Sequence, residues 1–328
     1  MVTALVTGGT GFVGAHVAQA LAAAGHTPRI LRRATSRLAA LDGLADYELA
    51  VGDVLDPASL VAAMDGCAWV FHVAAVSDYW RQDVDWLYRV NVEGTRHVLQ
   101  AAQQAGVERF VFTSSAAAVG WRADGQPSDE SLPFNLSPRR FPYGHSKFLA
   151  EIEVLKAIVA GLDAVIVNPT VVTGPGDLNY GSGSLILEMA KRRVPAVPPG
   201  GITMIDVRDV ARAHVLAAER GRVAERYLLG SVTLSHQAWM RLISRAAGVP
   251  MPFLHMPAWA VRTVATGVDA LRKLGVKLPA DGMQLRESAE WLRFDCRKSW
   301  AELAAPQVDI RQSIQDSVDW YRSHGLLS

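Results

Sequence analysis

The chain is predicted to fold as an α/β protein, a doubly wound parallel sheet carrying a smaller, mainly helical C-terminal lobe. Three observations predict this. Short apolar runs alternate with helical patterns through the first half of the chain. A glycine-rich turn joins the first run to the first helix. Beyond Pro169 the texture changes, with Gly174-Pro-Gly176, Gly181-Ser-Gly183 and Pro195 to Gly201 as punctuation. The length of 328 residues, half of them hydrophobic, suits one large domain or two fused lobes.

The runs read as strands are 4–7, 28–31, 47–51, 69–73, 109–113 and 164–168, each short and rich in apolar or β-branched residues. Helical patterns at 13–24, 58–64, 84–104 and 143–159 separate them, and strands so separated pair in parallel. The expected division is a dinucleotide-binding domain over 1–170 with a return segment near 203–230. Residues 171–202 and 231–328 then form a substrate-binding lobe.

The glycine turn is Gly8-Gly-Thr-Gly11-Phe-Val-Gly14, set between an N-terminal strand and an Ala-rich helix. Three glycines there serve a tight turn, a close backbone approach to a pyrophosphate, and close packing of helix on strand. Free N–H groups and the positive helix end complete an anion site. This is the dinucleotide fingerprint of the Rossmann arrangement. Gly8, Thr10, Gly11, Phe12, Val13 and Gly14 are its candidate contacts.

Composition narrows the function classes. A formal net charge of +1 offers nothing to nucleic acid or an anionic membrane. Cys67 and Cys296 are too few for a disulfide framework and have no metal-ligand spacing, so no metal is expected and a reducing cytoplasm fits. The N-terminus lacks a basic region before its apolar run. No apolar stretch reaches the roughly 18 residues of a membrane span. The nearest, 256–271, is interrupted by Arg262 and Asp269 and reads as an amphipathic core helix.

The end of the second strand bears on which dinucleotide is held. An NAD site places an acid there for the adenosine ribose. This chain has Arg29-Ile-Leu-Arg32-Arg33-Ala34 instead. A guanidinium at Arg32 suits a 2′-phosphate, which favours NADP(H) and leaves NAD(H) as the alternative. The bland reading is two solvated arginines. Asp53, followed by Val54, ends the third strand and either accepts from the adenine amino group or caps the turn before Pro57.

A second pattern carries chemistry. Tyr143-Gly-His-Ser-Lys147 sets a phenol and an ammonium on one helix face. A phenol near pKa 10 exchanges protons poorly at neutral pH, and a neighbouring Lys⁺ together with a positive nicotinamide ring should lower it. Tyr143 then donates to, or takes from, a reacting oxygen. The apolar strand Arg109-Phe-Val-Phe-Thr113-Ser-Ser115 ends in hydroxyls where ligands of an open parallel sheet bind, although such residues also cap turns.

Together with His72-Val-Ala-Ala75, Asn91-Val-Glu-Gly-Thr95 and Asn168-Pro-Thr, these motifs make the chain resemble an extended short-chain dehydrogenase/reductase over nearly its whole length. Within that superfamily it is most similar to the dihydroflavonol-4-reductase-like and 3β-hydroxysteroid dehydrogenase-like group. The resemblance implies Ser115, Tyr143 and Lys147 as the catalytic set, with Ser115 preferred to Ser114 by its distance from Val119-Gly120. Lys147 would also hold the nicotinamide ribose. It further implies that Val73, Ala74, Ala75 and Thr113 line the cofactor, that Asn91 braces its loop, and that Pro169, Val171 and Val172 border the nicotinamide. Arg32 falls where reductases of this group hold the 2′-phosphate. A homodimer through helices 84–104 and 143–159 is implied too, with packing inside one chain as the alternative.

Reductases and nucleotide-sugar epimerases share this machinery. Sugar-nucleotide members usually carry an Arg-Asp pair ahead of the strand that leads to the Val-Asp-Asp-Val turn. The equivalent stretch, Ile202-Thr-Met-Ile-Asp206-Val-Arg-Asp209, is without that arginine, which weakens a diphosphate reading, while Arg81, Arg122, Arg139 and Arg140 stay open as substitutes. Ser77, Tyr79, Trp80, Trp121 and Tyr180 would instead form an aromatic-lined rim for a hydrophobic carbonyl compound, unless those rings simply pack the lobe interface. The expectation is an NADPH-dependent carbonyl reductase or alcohol dehydrogenase, with a nucleotide-sugar epimerase or dehydratase as the alternative. A redox-sensing NADP binder is a third reading, disfavoured by the retained Ser115, Tyr143 and Lys147.

Overall fold

The computed structural model describes residues 1–77, 83–122, 124–177, 183–276, 278 and 282–327. In chain order its strands are β1 (Thr3–Thr7), β2 (Thr27–Arg32), β3 (Glu48–Val51), β4 (Trp69–His72), β5 (Arg109–Thr113), β6 (Ala164–Pro169), β7 (Val171–Thr173), β8 (Ala196–Val197), β9 (Gly201–Asp206), β10 (Arg226–Leu229), β11 (Val232–Ser235), β12 (Leu254–His255) and β13 (Trp291–Leu292). The helices of the first half are α1 (Phe12–Ala23), α2 (Pro57–Met64), α3 (Val84–Tyr88), α4 (Gly94–Gln104) and α5 (Pro142–Val159). The second half adds α6 (Gly183–Ala190), α7 (Val207–Arg220), α8 (His236–Ala247), α9 (Ala258–Lys273), α10 (Gly282–Ser288), α11 (Arg297–Glu302) and α12 (Ile310–Ser323).

Seven parallel strands form the main sheet in the order β10-β6-β5-β4-β1-β2-β3. All six strands expected from the sequence lie in it, with ends moved by one or two residues. The order reverses between β1 and β4, and a ligand crevice opens outside the strand ends at such a reversal. The return segment contributes β10 to this sheet, while β9 pairs with β7, β11 and β13 in a second, four-stranded sheet.

Strand side chains alternate between two buried clusters, as a period of two requires. Val6, Phe71, Val111 and Val167 pack on the side of α1 and α7. Leu5, Val70, Phe110, Phe112 and Ile166 face the side of α2, α4 and α5. Each such burial contributes about 1.5–3 kcal/mol. Helix starts follow local rules: Asp56 caps α2 ahead of Pro57, Asp206 caps α7, and Pro142 opens α5.

Two expectations change. The helix read over 84–104 is interrupted by a five-residue π turn, Arg89–Glu93, which contains Asn91. Such turns are rare and frequently sit at functional sites. The segment read as a core helix becomes α9, which buries Val261 and Ala265 but leaves Trp259 71% and Val264 48% exposed. No helix among the described residues is long and apolar enough to cross a membrane.

Candidate active site

Gly8, Gly11 and Gly14, after β1, divide their duties. Gly8 has φ +69°, and a Cβ there would lie 2.7 Å from the Ala74 amide nitrogen. A Cβ on Gly14 would lie 2.2 Å from the Gly8 oxygen, so α1 packs on the turn only without a side chain. At Gly11 an added Cβ would meet only the Gly8 oxygen, at 3.3 Å, so the other side is open. Gly11 also caps α1 without a side-chain bond, and the first turn holds no acid. An open, uncapped and acid-free helix start fits a pyrophosphate.

The end of β4 abuts this turn. The Ala74 amide donates to Thr7 Oγ1 at 3.2 Å, which holds Val73 and Ala74 beside Gly8, with Ala75 exposed after them. A buried chain of hydrogen bonds then runs toward α5. Thr7 Oγ1 pairs with His72 Nδ1 (2.7 Å), and His72 Nε2 with Thr95 Oγ1 (3.0 Å). Thr95 donates to the Asn91 carbonyl at 2.6 Å. Asn91 clamps both backbone groups of Val76 (2.8 and 2.9 Å) and donates to Ser146 Oγ at 3.0 Å. Ser146 donates to the Tyr143 carbonyl at 2.7 Å. Burial, with help from the Lys147 charge, lowers the His72 pKa to about 3, so it is a neutral link.

Arg32 ends β2. Its Nη1 reaches the carbonyls of Arg33 (3.4 Å) and Ala34 (3.3 Å), both long contacts, and its buried Nε has no partner. An under-satisfied guanidinium at this strand end suits an anion. Asp53 Oδ1 accepts from the Leu55 amide at 2.9 Å and so closes its own turn, while Asp56 caps α2. Val54 is buried against Gly94.

Ser115, Tyr143 and Lys147 converge at the end of β5. Ser115 Oγ accepts from the Ala117 amide at 3.2 Å, capping the turn Ala116–Ala118, and its side chain also hydrogen-bonds the Tyr143 phenol. The capping role and the phenol contact coexist. Ser114 turns inward and donates to Glu151 Oε1 at 2.5 Å. Lys147 is 2% exposed, donates to the Thr113 carbonyl at 2.6 Å and lies 4.6 Å from the Phe112 ring centre. Thr113 Oγ1 is engaged by His214 Nε2 at 2.8 Å, so its hydroxyl serves the interior.

The expected lowering of the phenol pKa is not found. Burial pushes Tyr143 up, with only the Ser115 hydrogen bond acting downward. Burial also brings Lys147 down to about 7, against a smaller upward pull from Glu151. Desolvation of both charged forms outweighs the effect expected from their sequence spacing.

On the substrate side, Ser77 is exposed, and Trp121 is partly buried with its N–H and carbonyl both bound by the Asn135 amide (3.1 and 2.9 Å). Tyr79, Trp80 and Tyr180 lie outside the described residues. Pro169 ends β6, and Val171 and Val172 enter the second sheet at once, joining the two sheets beside the site.

Sequence reasoning missed Glu151 and gave Asn168 no role. Asn168 Nδ2 donates to the Ser115 carbonyl (3.0 Å) and to Glu151 Oε1 (2.6 Å). The available signal was a carboxylate four residues beyond Lys147, hence on the same helix face. No group of three or more His, Cys, Asp or Glu side chains among the described residues could hold a metal ion.

A parallel sheet with an open glycine cradle, a phenol–lysine pair and a hydroxyl at one strand end defines a nicotinamide-dinucleotide oxidoreductase. Residues 4–230 match the model of the NAD dependent epimerase/dehydratase family, and the chain belongs to that family, the extended short-chain dehydrogenases/reductases. It is 42% identical to the "Putative dihydroflavonol 4-reductase" of Synechocystis over 98% of this chain and 95% of that one. It is 34% identical to sterol demethylase protein B of Methylococcus capsulatus over 99% of this chain and all of that one. Among solved structures, gox2253 superimposes with a TM-score of 0.88 at 38% identity, over 100% of this chain and 99% of that one. A nucleoside-diphosphate-sugar epimerase from Pseudomonas aeruginosa gives 0.83 at 27% identity, with the same coverage.

Proposed function

We propose that this protein is an NADPH-dependent carbonyl reductase, or in reverse an alcohol dehydrogenase, acting on a small-to-medium hydrophobic substrate. The observation that carries this reading is the contact of Tyr143 with Ser115, one helical turn from a buried Lys147, beside the crevice at the strand-order reversal. The glycine turn would hold the pyrophosphate, Arg32 the 2′-phosphate and Lys147 the nicotinamide ribose. When bound, the nicotinamide supplies or accepts hydride. Ser115 orients the substrate oxygen, and Tyr143 gives it a proton or takes one back. A phenol held neutral by burial suits the reductive direction, where it must arrive protonated.

The hydrophobic substrate class draws on the dihydroflavonol and sterol relatives and on the missing sugar-nucleotide arginine. In that stretch Arg208 pairs with Asp206 and Asp316 at 2.8 Å each, and is not free for a diphosphate. Residues 1–170 with the return segment form the dinucleotide part in this reading, and the remainder encloses the substrate. A homodimer through α3–α4 and α5 belongs to the same reading, supported by the exposure of Leu155 (43%) and Val159 (90%) on α5.

The test is loss of nicotinamide absorbance when NADPH is mixed with a panel of hydrophobic ketones and aldehydes. Net oxidation is expected. The similarity to the Pseudomonas enzyme supports a second reading, a nucleotide-sugar epimerase. Conversion of a nucleotide sugar without net absorbance change, and no oxidation by any carbonyl, would replace the first reading with it.

A further inference from the structure

We propose that Glu151 is a positioning residue of this active site: its carboxylate, one turn beyond Lys147 on the same face of α5, keeps that side chain a cation and clamps the Ser114–Ser115 strand end. The proposal rests on the reading of Ser115, Tyr143 and Lys147 as the catalytic set.

Residues 143, 147 and 151 recur every four positions, so the phenol, the ammonium and the carboxylate line one side of α5. Glu151 is 4% exposed, and a carboxylate is seldom buried unless its charge is answered. Two hydrogen bonds and one cation answer it here: Ser114 Oγ (2.5 Å) and Asn168 Nδ2 (2.6 Å) donate to Oε1, and the Arg226 guanidinium stands 3.2 Å from Oε2 as an ion pair, its Nε making no hydrogen bond. Burial pushes the Glu151 carboxyl upward, and the Arg226 charge, the Ser114 and Asn168 hydrogen bonds and the Lys147 charge act against it. Through Ser114 directly, and through Asn168 to the Ser115 carbonyl at 3.0 Å, the carboxylate ties the ends of β5 and β6. It therefore restrains the backbone from which the Ser115 hydroxyl projects.

The same charge acts on Lys147. Burial strips water from that ammonium and leaves it near pKa 7, and Glu151 is what pulls it upward. The groups facing Lys147 and Glu151 are few. Tyr143 lies on α5 itself, His72 on β4, and Arg226 on β10, while His214 on α7 touches the Thr113 hydroxyl. The two histidines, with pKa values of about 3 and about 4, stay neutral through the neutral range. Tyr143 is pushed upward and Lys147 is brought down to about 7, so the alkaline change nearest neutrality belongs to Lys147.

The sign follows. Removing an anion next to an ammonium lowers its pKa, so the cation is lost at lower pH. A bound anionic dinucleotide reports this loss whatever the substrate proves to be. The experiment measures the dissociation constant of NADPH against pH by protein fluorescence, in the parent and in Glu151→Gln. Lys147→Met identifies the alkaline limb due to the lysine. The expected result is a limb moved acidward by about one pH unit in Glu151→Gln, or about tenfold weaker binding on that limb. Glu151→Asp should restore part of the shift.

Glu151→Gln leaves Arg226 without its carboxylate, with only the Glu130 carbonyl on Nη1, and can unfold the protein. The double variant Glu151→Gln/Arg226→Met removes both charges together and should keep the acid shift, since Arg226 faces Glu151. A limb at the parent pH in a folded variant, or a parent with no such limb, overturns the proposal. Failure of the parent to reduce any carbonyl overturns the functional reading instead, while the binding limb still decides the role of Glu151.

Discussion

Two cations stand beside strand ends of the main sheet, Arg32 at the end of β2 and Lys147 on α5 against the end of β5, and the two are held in opposite ways. Arg32 stands at the protein surface with two long contacts to neighbouring carbonyls and one buried nitrogen unmatched. Lys147 is enclosed, with a 2.6 Å bond to the Thr113 carbonyl, an aromatic face beneath it and a carboxylate one turn away. A surface guanidinium remains charged at any working pH and can turn toward a ligand at little cost. A buried ammonium is costly to keep charged, so its neighbours decide its state. The first cation can discriminate between cofactors, and the second can be tuned.

Substitutions at the β5 end should have the larger effects. Tyr143→Phe removes the proton donor and should lower kcat by about 10²–10⁴-fold with little change in cofactor affinity. Equal turnover by the variant would break the assignment. Lys147→Met should lower kcat by about 10²-fold, as loss of a preorganised charge does. It should also stabilise the fold in a pH-dependent way. The folded pKa of about 7 lies below the ordinary lysine value of 10.5, so the charged form in the folded state costs stability at and below neutral pH. That cost fades as pH rises from about 7 toward the unfolded value. Melting temperatures of variant and parent should therefore differ most at or below pH 7 and converge as pH rises. A gap independent of pH would contradict the burial argument.

At the dinucleotide end the effects should be smaller and selective. Gly14→Ala forces a Cβ to within 2.2 Å of the Gly8 oxygen and should cost about 1–3 kcal/mol in urea denaturation, with weaker cofactor binding. Arg32→Ala should raise the NADPH dissociation constant by about tenfold, a loss of about 1.4 kcal/mol, and leave NADH nearly unaffected. Equal affinity of the parent for both cofactors would remove the basis for the NADP preference.

The same contrast separates what was readable in the chain from what was not. The glycine turn was legible because its demands are local: a positive φ at Gly8 and a missing Cβ at Gly14 follow from neighbours a few residues away. The Tyr143–Lys147 pair was legible as a helix spacing. The π turn at Asn91 was not, because that turn is coupled to a side chain that must reach Val76 and Ser146, contacts 15 and 55 residues distant. The upward push on Tyr143 in the protein alone was not legible for a related reason, since spacing reveals a neighbouring charge but not how much water both groups lose.

By itself, the order of residues determined the parallel sheet, the dinucleotide turn and the identity of the phenol, lysine and hydroxyl. Periodicity and backbone conformation are properties of short stretches of chain. Only the tertiary structure decided that Ser114 turns inward to Glu151, that Lys147 is pulled down to about 7, and that Glu151 and Asn168 bind the strand ends together. Those outcomes depend on which distant groups exclude water from one another, and desolvation is a property of the packed interior.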